Sequence, residues 1–274
     1  MAWKPRASQV ASYMLCLWRA CNDRMRAEGL AGDAEFSLAD DDPMFADFGT
    51  ICHYQLQDGM RCIFPGKPED FAPTAAERFN GARLFGGDID RMEAVARTAA
   101  ETVSRQMPAT PDGLPWLSEY PMENELLTGH LDFWSQDDTV GGDLKTTKRL
   151  PRDAKIKPAH LVQFTCYKIL RPRMQRFFAV YVDSDHGTKL VGPLWVDFNS
   201  PGMVFFREQL EGFVRLLVSD LLPQIAYPAL GEHCSQMWCP YRRGCHDKII
   251  PPAGPSYDVV QALRPLGRLK LTPL

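Results

Sequence analysis

Two neighbouring segments, GHLDFW and TVGGDLKTT, constrain the fold of this chain more than any other stretch of its sequence. Both are rich in strand-forming residues. The first carries Asp132 and the second carries Asp143, with Lys145 two residues later. Side chains two apart on a strand point to the same face, so Asp143 and Lys145 are predicted to share one face of a sheet. The sequence therefore predicts two carboxylates and an ammonium group at the ends of adjacent strands.

The surrounding pattern predicts a mixed α/β fold. In chain order we predict helices at 8–28, 44–59 and 88–107, an irregular stretch at 60–87, strands at 115–120, 124–135 and 139–147, a helix at 158–170, a hairpin at 175–198 and a long helix capped by Ser200. This order predicts a central mixed β-sheet flanked by helices, with a helical accessory lobe formed by both termini.

Composition narrows the class of protein. The 274 residues are 45% hydrophobic and 24% charged, as in an ordinary globular protein. No apolar run is long enough to cross a membrane, and charged residues interrupt the first apolar segment, so we expect no signal peptide and a cytoplasmic protein. The net charge of −3 argues against a protein that simply coats nucleic acid.

The two aspartates and the lysine suit phosphodiester hydrolysis. This reaction needs an activated water and compensation of growing negative charge, and a divalent cation held by carboxylates supplies both. Lys145 would then position the water or stabilise the developing charge. A bare D-x-K sequence also occurs as exposed aspartates beside turns with a surface lysine. The consecutive strands and the following helix favour the catalytic interpretation.

These residues resemble the core of the PD-(D/E)XK nucleases, in particular the RecB-like branch. That branch has a helix with G-x-x-x-H, a G-x-x-D strand, a D/E-x-K strand and a helix with Q-x-x-x-Y. The chain carries all four in order, at Gly49 and His53, Gly129 and Asp132, Asp143 and Lys145, and Gln163 and Tyr167. The resemblance implies a restriction-endonuclease-like sheet within residues 44–222.

The resemblance also implies a role for each motif residue. His53, Asp132, Asp143 and the backbone carbonyl of Leu144 would hold Mg²⁺ or Mn²⁺, and Lys145 would be the catalytic lysine. Relatives often carry an acid one turn after the histidine, where this chain has Gln57, and this leaves one-metal and two-metal chemistry both open.

Gln163 and Tyr167 lie one turn apart on the predicted helix at 158–170. They would orient Lys145 or contact the nucleic acid. Packing of that helix against the sheet is the alternative explanation for both residues.

Three late cysteines and one early cysteine indicate a second metal site. Cys234, Cys239 and Cys245 lie within a dozen residues, which suits zinc or an iron–sulfur cluster lacking a fourth ligand. The segment ending at Cys16 resembles the S-x-x-x-Y-x-x-C start of RecB-like nucleases with a [4Fe–4S] cluster, among them AddB-type helicase–nucleases and the CRISPR adaptation nucleases. The resemblance implies a structural cluster that joins both ends of the chain.

The cysteine spacing leaves alternatives open. The late spacing here is C-x₄-C-x₅-C, whereas the family commonly has C-x₂-C-x₅-C. Cys21 could replace Cys16, and His233 could replace a late cysteine. Zinc, or buried cysteines without metal, are the alternatives to the cluster.

A dense basic run directly follows the second strand, at Lys148, Arg149, Arg152, Lys155 and Lys157. Such side chains would contact phosphates without reading sequence. A solvated loop is the alternative. No base-reading module is recognisable, so we expect binding of DNA ends or single strands.

Together these features predict a single RecB-like nuclease domain at 1–250, with a cysteine lobe from 8–28 and 230–248, and a Pro-rich basic tail at 251–274. The predicted function is a Mg²⁺- or Mn²⁺-dependent DNA exonuclease without sequence specificity, acting in recombination or repair in a bacterial or phage-infected cell. A helicase or recombinase would be a separate chain. The alternatives are a non-catalytic DNA-binding partner with this fold, and a zinc-stabilised RNA nuclease.

Overall fold

A computed structural model describes residues 3–30 and 43–225. Its central sheet has four strands in the order β3-β4-β5-β6, with β4 and β5 parallel and the outer pairs antiparallel. Their bounds are Phe133–Trp134 for β3, Val140–Thr147 for β4, Arg176–Asp183 for β5 and Leu190–Asp197 for β6. Helices cover both faces of this sheet, so the predicted mixed α/β architecture is confirmed.

A separate two-stranded hairpin precedes the sheet. It consists of β1, Tyr120–Glu123, and β2, Thr128–Leu131, in antiparallel register. Asp132 lies between β2 and β3, where the chain leaves the hairpin and enters the central sheet. The aspartate therefore sits at a change of strand partner, next to the middle of β4.

Strand β5 is buried on both sides and separates two apolar cores. Phe178 and Val180 point to the core shared with α3, Pro43–Gly59, and α5, Ile89–Ser104. Phe177 and Tyr181 point to the core shared with α6, Pro158–Leu170. This alternation follows the two-residue period of a strand, and burial of both faces explains its nearly continuous apolar sequence.

The paired glycines of β4 make room for aromatic rings of β5. A Cβ at Gly142 would lie 2.1 Å from the ring of Phe178, and one at Gly141 would lie 2.9 Å from the ring of Phe177. Both distances are far below van der Waals contact. The glycines of VGGD are thus required by packing, and they bring β4 close to β5 beside Asp143.

Two helix predictions were wrong in detail. The helix predicted at 8–28 is divided into α1, Val10–Leu15, and α2, Leu17–Ala27, because Cys16 has extended backbone angles of φ −152° and ψ 100°. The stretch predicted to be irregular contains α4, Ala75–Ala82, which begins with a capping box between Thr74 and Glu77.

The strand predicted at 115–120 was wrong, because β1 begins only at Tyr120 and Leu117 forms isolated bridges to Ile63 and Trp134. The strand predicted at 124–135 is divided into β2 and β3 at Asp132. The remaining helix boundaries follow the predictions more closely. The long helix α7 spans Pro201–Val218, and α8, Leu222–Ile225, follows it. Ser200 occupies the N-cap position of α7, but its hydroxyl donates to the carbonyl oxygen of Asp197 at 2.9 Å and caps no helical N–H.

The two ends of the described chain meet in a third apolar cluster. Tyr13 and Cys21 pack there with Leu217 and Leu222. This contact agrees with a lobe built from both termini. The predicted division into a nuclease domain and a tail stays a prediction, since residues 226–274 lie outside the described ranges. No helix within those ranges is long and apolar enough to cross a bilayer.

Candidate active site

Asp132 connects the hairpin, helix α3 and strand β4. Its Oδ2 lies 3.3 Å from Nδ1 of His53 and accepts a hydrogen bond of 2.8 Å from the backbone nitrogen of Leu144. The carbonyl oxygen of Asp132 accepts from the Ser118 hydroxyl at 3.1 Å. The carboxylate is therefore held on several sides, and the structure brings the predicted pair His53 and Asp132 together.

Glu119 is a site residue that the sequence analysis missed. It lies directly before β1 with a positive φ of 49°, and its carboxylate joins His53 and Asp132 in a group whose ligand atoms all lie within 4.8 Å of one another. The amide nitrogen of Gln57 donates to Glu119 Oε1 at 3.3 Å and to the carbonyl oxygen of Asp132 at 3.2 Å. Gln57 thus supports a carboxylate that comes from another part of the chain.

The second predicted pair forms an ion pair inside the fold. Lys145 Nζ lies 2.8 Å from Asp143 Oδ2, and the side chain of Asp143 is 2% exposed. This Oδ2 atom is buried, and its close partner is the ammonium group of Lys145. A buried carboxylate oxygen in this situation is available to a cation, because its desolvation is compensated only by the neighbouring ammonium group.

The charges of the site shift the pKa values of its members. Burial lowers the pKa of His53, but the charge of Asp132 and its contact with the ring outweigh burial and raise it to about 9. Burial raises the pKa of Asp132, but His53 and Lys145 outweigh it and the net pKa is lowered. The metal-free site therefore holds an imidazolium beside a carboxylate at neutral pH.

Asp143 and Glu119 behave differently from Asp132. Burial raises the pKa of Asp143 to about 7, with Lys145 opposing the rise and Asp132 adding to it. Burial and Asp132 also raise the pKa of Glu119. Burial lowers the pKa of Lys145, but Asp143 and Asp132 outweigh burial and raise it, so the ammonium stays protonated at neutral pH.

Gln163 and Tyr167 face each other within α6. The Gln163 amide donates to the Tyr167 phenol oxygen at 2.7 Å, and both side chains are buried. Burial, then Asp143 and Asp132, raise the pKa of the phenol, so it stays neutral. Tyr167 also packs on the hairpin, because a Cβ at Gly129 would lie 3.0 Å from its ring. The motif glycine is thus needed for helix packing beside the site.

A cleft of about 380 Å³ opens onto this group of residues. His53, Glu119 and Asp132 line it together with the first turns of α3. Gly49 allows the helix to approach β4 here, because a Cβ at this position would lie 3.1 Å from the hydroxyl oxygen of Thr146. Gly49 therefore sets the distance between α3 and β4 at this cleft.

The basic run after β4 divides into two sets. Lys148 Nζ lies 4.4 Å from the ring centre of Phe45, which lines the cleft, and Lys157 Nζ donates to the Thr147 hydroxyl at 3.2 Å. The side chains of Arg149, Arg152 and Lys155 are exposed. Of the five predicted phosphate contacts, Lys148 therefore lies against α3 and Lys157 against the end of β4.

His160 is a second residue that the sequence did not single out. Its Nδ1 lies 2.8 Å from the Tyr181 hydroxyl, and the two rings stack at 5.5 Å. Burial, then Lys145 and Lys157, lower the pKa of His160 to about 3, so the ring stays neutral. No motif marks this histidine, and only the register of Tyr181 opposite Lys145 places it near the site.

The cysteine predictions fall partly outside the described residues. Cys16 is buried at the break between α1 and α2, and Cys21 is buried in the cluster between the two ends of the described chain. Burial raises the pKa of the Cys21 thiol. Cys234, Cys239, Cys245 and His233 lie outside the described ranges, so the cluster stays a prediction.

The donor set fits a divalent cation. Carboxylate oxygens suit Mg²⁺ and Mn²⁺, and one imidazole is compatible with a transition metal. His53, Glu119 and Asp132 already converge, and the buried Oδ2 of Asp143 faces the ammonium group of Lys145. The predicted ligand set of His53, Asp132, Asp143 and the Leu144 carbonyl therefore needs Glu119 as an additional candidate.

Neither a family model nor a curated protein matches this chain. Among solved structures, a phage-related exonuclease from Haemophilus somnus 129PT matches 82% of this chain and 98% of its own, at 10% identity and a TM-score of 0.36. The protein SSO0001 matches 51% of this chain, at 16% identity and a TM-score of 0.29; the chain spans 60% of that protein's length. Both TM-scores are too low for either likeness to say what this chain does.

Proposed function

We propose that this protein is a metal-dependent nuclease that hydrolyses phosphodiester bonds of DNA without sequence specificity, acting on ends or single strands. One observation carries the proposal. Asp143 and Lys145 form an ion pair beside Asp132, which in turn joins His53 and Glu119 along the wall of a cleft. A buried ion pair next to carboxylates that line a cleft is typical of a catalytic site.

The cation would be held by His53, Glu119 and Asp132, with Asp143 and the Leu144 carbonyl completing the set. A divalent ion bound there makes a bound water more acidic and compensates phosphate charge. Asp132 is held by His53 and by the backbone nitrogen of Leu144, so its carboxylate needs little reorganisation. Such fixed ligands keep the site in one geometry through the reaction.

Lys145 would stabilise the negative charge that grows on the phosphate. Its raised pKa keeps it protonated at neutral pH, and Asp143 fixes its position at 2.8 Å. A buried, preorganised donor is worth more than one in water, because the local dielectric constant is lower. Gln163 and Tyr167 would act behind this pair by keeping α6 packed against the hairpin.

The wider proposal concerns DNA binding, a structural metal cluster and the cellular role of the protein. Lys148, Arg149, Arg152, Lys155 and Lys157 would contact the DNA backbone, and Cys16, Cys234, Cys239 and Cys245 would hold a structural [4Fe–4S] cluster of the RecB-like type. The protein would serve recombination or repair, with any helicase or recombinase as a separate chain. Iron, sulfide and zinc analysis of anaerobically purified protein tests the cluster directly.

The decisive experiment is degradation of end-labelled single- and double-stranded DNA, and of RNA, with Mg²⁺ or Mn²⁺. Wild type is compared with Lys145→Ala and with Lys189→Ala, a matched change at an exposed lysine on the far side of the β5–β6 turn. We expect cleavage of DNA by wild type and Lys189→Ala and none by Lys145→Ala. Binding of DNA without cleavage under both metals would instead identify a non-catalytic DNA-binding protein.

A further inference from the structure

The cleft has an aromatic wall that the metal site does not use. Phe45 and Phe71 line it on the same opening as His53 and Asp132. Neither ring belongs to the three apolar cores of the described chain, and each is only partly buried. Large apolar rings at a cleft beside buried charges are not explained by packing of the fold.

Phe71 is held in a fixed position. Its ring stacks on Phe64 at a centre-to-centre distance of 5.4 Å and an angle of 23°. A Cβ at Gly66 would lie 3.3 Å from the same ring, so the backbone of this loop also packs against it. A short 3-10 helix, Pro68–Asp70, directly precedes Phe71. The ring is thus supported by its own loop while it lines the cleft.

Phe45 holds a positive charge at the edge of the cleft. Lys148 Nζ lies 4.4 Å from the ring centre, within the range of a cation–π contact. Lys148 is otherwise exposed, so its ammonium group is free to contact a phosphate while the ring limits its motion. An aromatic face and a positioned ammonium group therefore lie on the same side of the metal site.

We propose that Phe71 is a stacking platform for one unpaired nucleobase, and that Lys148, held over Phe45, binds a phosphate of the same strand. This proposal rests on the proposed function and names its substrate class, a single-stranded nucleic acid. A duplex keeps its base faces stacked and paired inside, whereas a single strand offers them to an aromatic ring. The cleft volume of about 380 Å³ lies in the range of small-molecule sites, so a single nucleotide can enter it.

Equilibrium binding tests the platform without hydrolysis. Fluorescein-labelled oligothymidylate, the same strand made of abasic nucleotides, oligouridylate and a blunt duplex of equal length are titrated in EDTA and followed by anisotropy. Phe71→Ala is expected to weaken oligothymidylate binding by about 5- to 150-fold, the effect of losing one base–aromatic stack. The abasic strand is expected to bind both proteins equally. Comparing the affinities for oligouridylate and oligothymidylate shows whether the site prefers RNA or DNA.

Matched variants separate stacking from folding and from charge. Phe79→Ala removes a 56% exposed ring on α4 and is expected to change nothing. Phe71→Leu keeps apolar packing on Phe64 but removes the ring, and should weaken binding as Phe71→Ala does. Lys148→Ala should weaken binding of the normal and abasic strands alike. It should also reduce the slope of the logarithm of the binding constant against the logarithm of the salt concentration by about one.

The outcomes distinguish this proposal from the nuclease function. If Phe71→Ala and Phe71→Leu bind both strands as wild type does, or if the blunt duplex binds as tightly as the single strand, the platform is refuted. Cleavage is then measured separately with Mn²⁺. Base-dependent binding through Phe71 without any cleavage would support the stacking platform and contradict the nuclease function. Cleavage that does not depend on Phe71 would support the nuclease function and contradict the platform.

Discussion

Buried charges at the ends of the parallel pair β4–β5 and those in the middle of β4 are satisfied in different ways. At the end where α6 leads into β5, the ammonium group of Lys168 donates to the carbonyl oxygens of Pro172 and Met174, both at 2.6 Å. At the end of β5 itself, Asp183 accepts hydrogen bonds from the backbone nitrogens of His186, Gly187 and Lys189. These charges hold turns of the backbone in place.

Lys145 and Asp143 instead satisfy each other. Their contact of 2.8 Å is made at the buried Oδ2 of Asp143, and the charge of Asp132 acts on both groups. Burial lowers the pKa of Lys168, whereas carboxylates outweigh burial and raise that of Lys145. A buried charge satisfied by the backbone stabilises the fold, and a buried charge satisfied only by another charge can exchange that partner for a substrate or a cation.

The strongest test of this contrast is Lys145→Met. We expect the rate of DNA cleavage to fall by about 100- to 1,000-fold, because one preorganised donor to the developing charge is lost. Stability should change little, since Asp143 can take up a proton when its partner is removed. Single-turnover cleavage and urea unfolding measure the two effects. A full rate in this variant would remove Lys145 from the chemistry.

The matched change at the other lysine, Lys168→Met, should have the opposite profile. Two buried carbonyl oxygens lose their donor, so the free energy of unfolding should fall by about 1–3 kcal/mol. The cleavage rate per folded molecule should stay as in wild type. Urea unfolding combined with the same cleavage assay checks this. A rate loss as large as that of Lys145→Met would mean that the sites of the two lysines are not independent.

Metal binding should be linked to proton release from His53 and Asp143. The pKa values of about 9 for His53 and about 7 for Asp143 are both raised, so each group holds a proton below its pKa and loses it above. A cation requires the unprotonated forms, so affinity should increase as pH rises through 7 towards 9, with release of roughly one to two protons per ion at neutral pH. Calorimetry of Mn²⁺ binding in buffers of different ionisation enthalpy measures the number of protons released per bound ion. Asp183→Asn serves as the control, and binding without proton release would contradict the assignment of these ligands.

The smallest expected effect concerns Glu119. Glu119→Gln should weaken Mn²⁺ binding by about tenfold, because one carboxylate is lost while His53, Asp132 and Asp143 remain. Part of the loss should be offset, since Glu119 also raises the pKa of His53 and its removal makes that ring easier to deprotonate. Calorimetry at two pH values separates these contributions. Unchanged affinity at both would exclude Glu119 from the ligand set.

Much of the fold and part of the site could be predicted from local patterns. Periodicity located β4, β5, β6 and the helices α3, α5 and α6, because each pattern repeats within a few residues, but it missed β1. Asp132, Asp143 and Lys145 were located on the predicted strands and His53 by the resemblance to RecB-like nucleases, and the structure brings them to one place. Their roles stay predictions. The break at Cys16 could not be predicted, because the apolar pattern continues through it and only the backbone angles change.

What the sequence by itself determined is therefore the set of elements and the residues that strand and helix periodicity bring together, including the same-face pair Asp143 and Lys145. The tertiary structure alone decided that Glu119 joins them, since it lies 62 residues from Gln57, and no local pattern encodes a contact over that distance. It also decided which buried charges contact the backbone and which contact each other, as Lys145 and Asp143 do. That choice depends on how β4, α3 and the hairpin pack, because packing determines which polar groups find backbone partners.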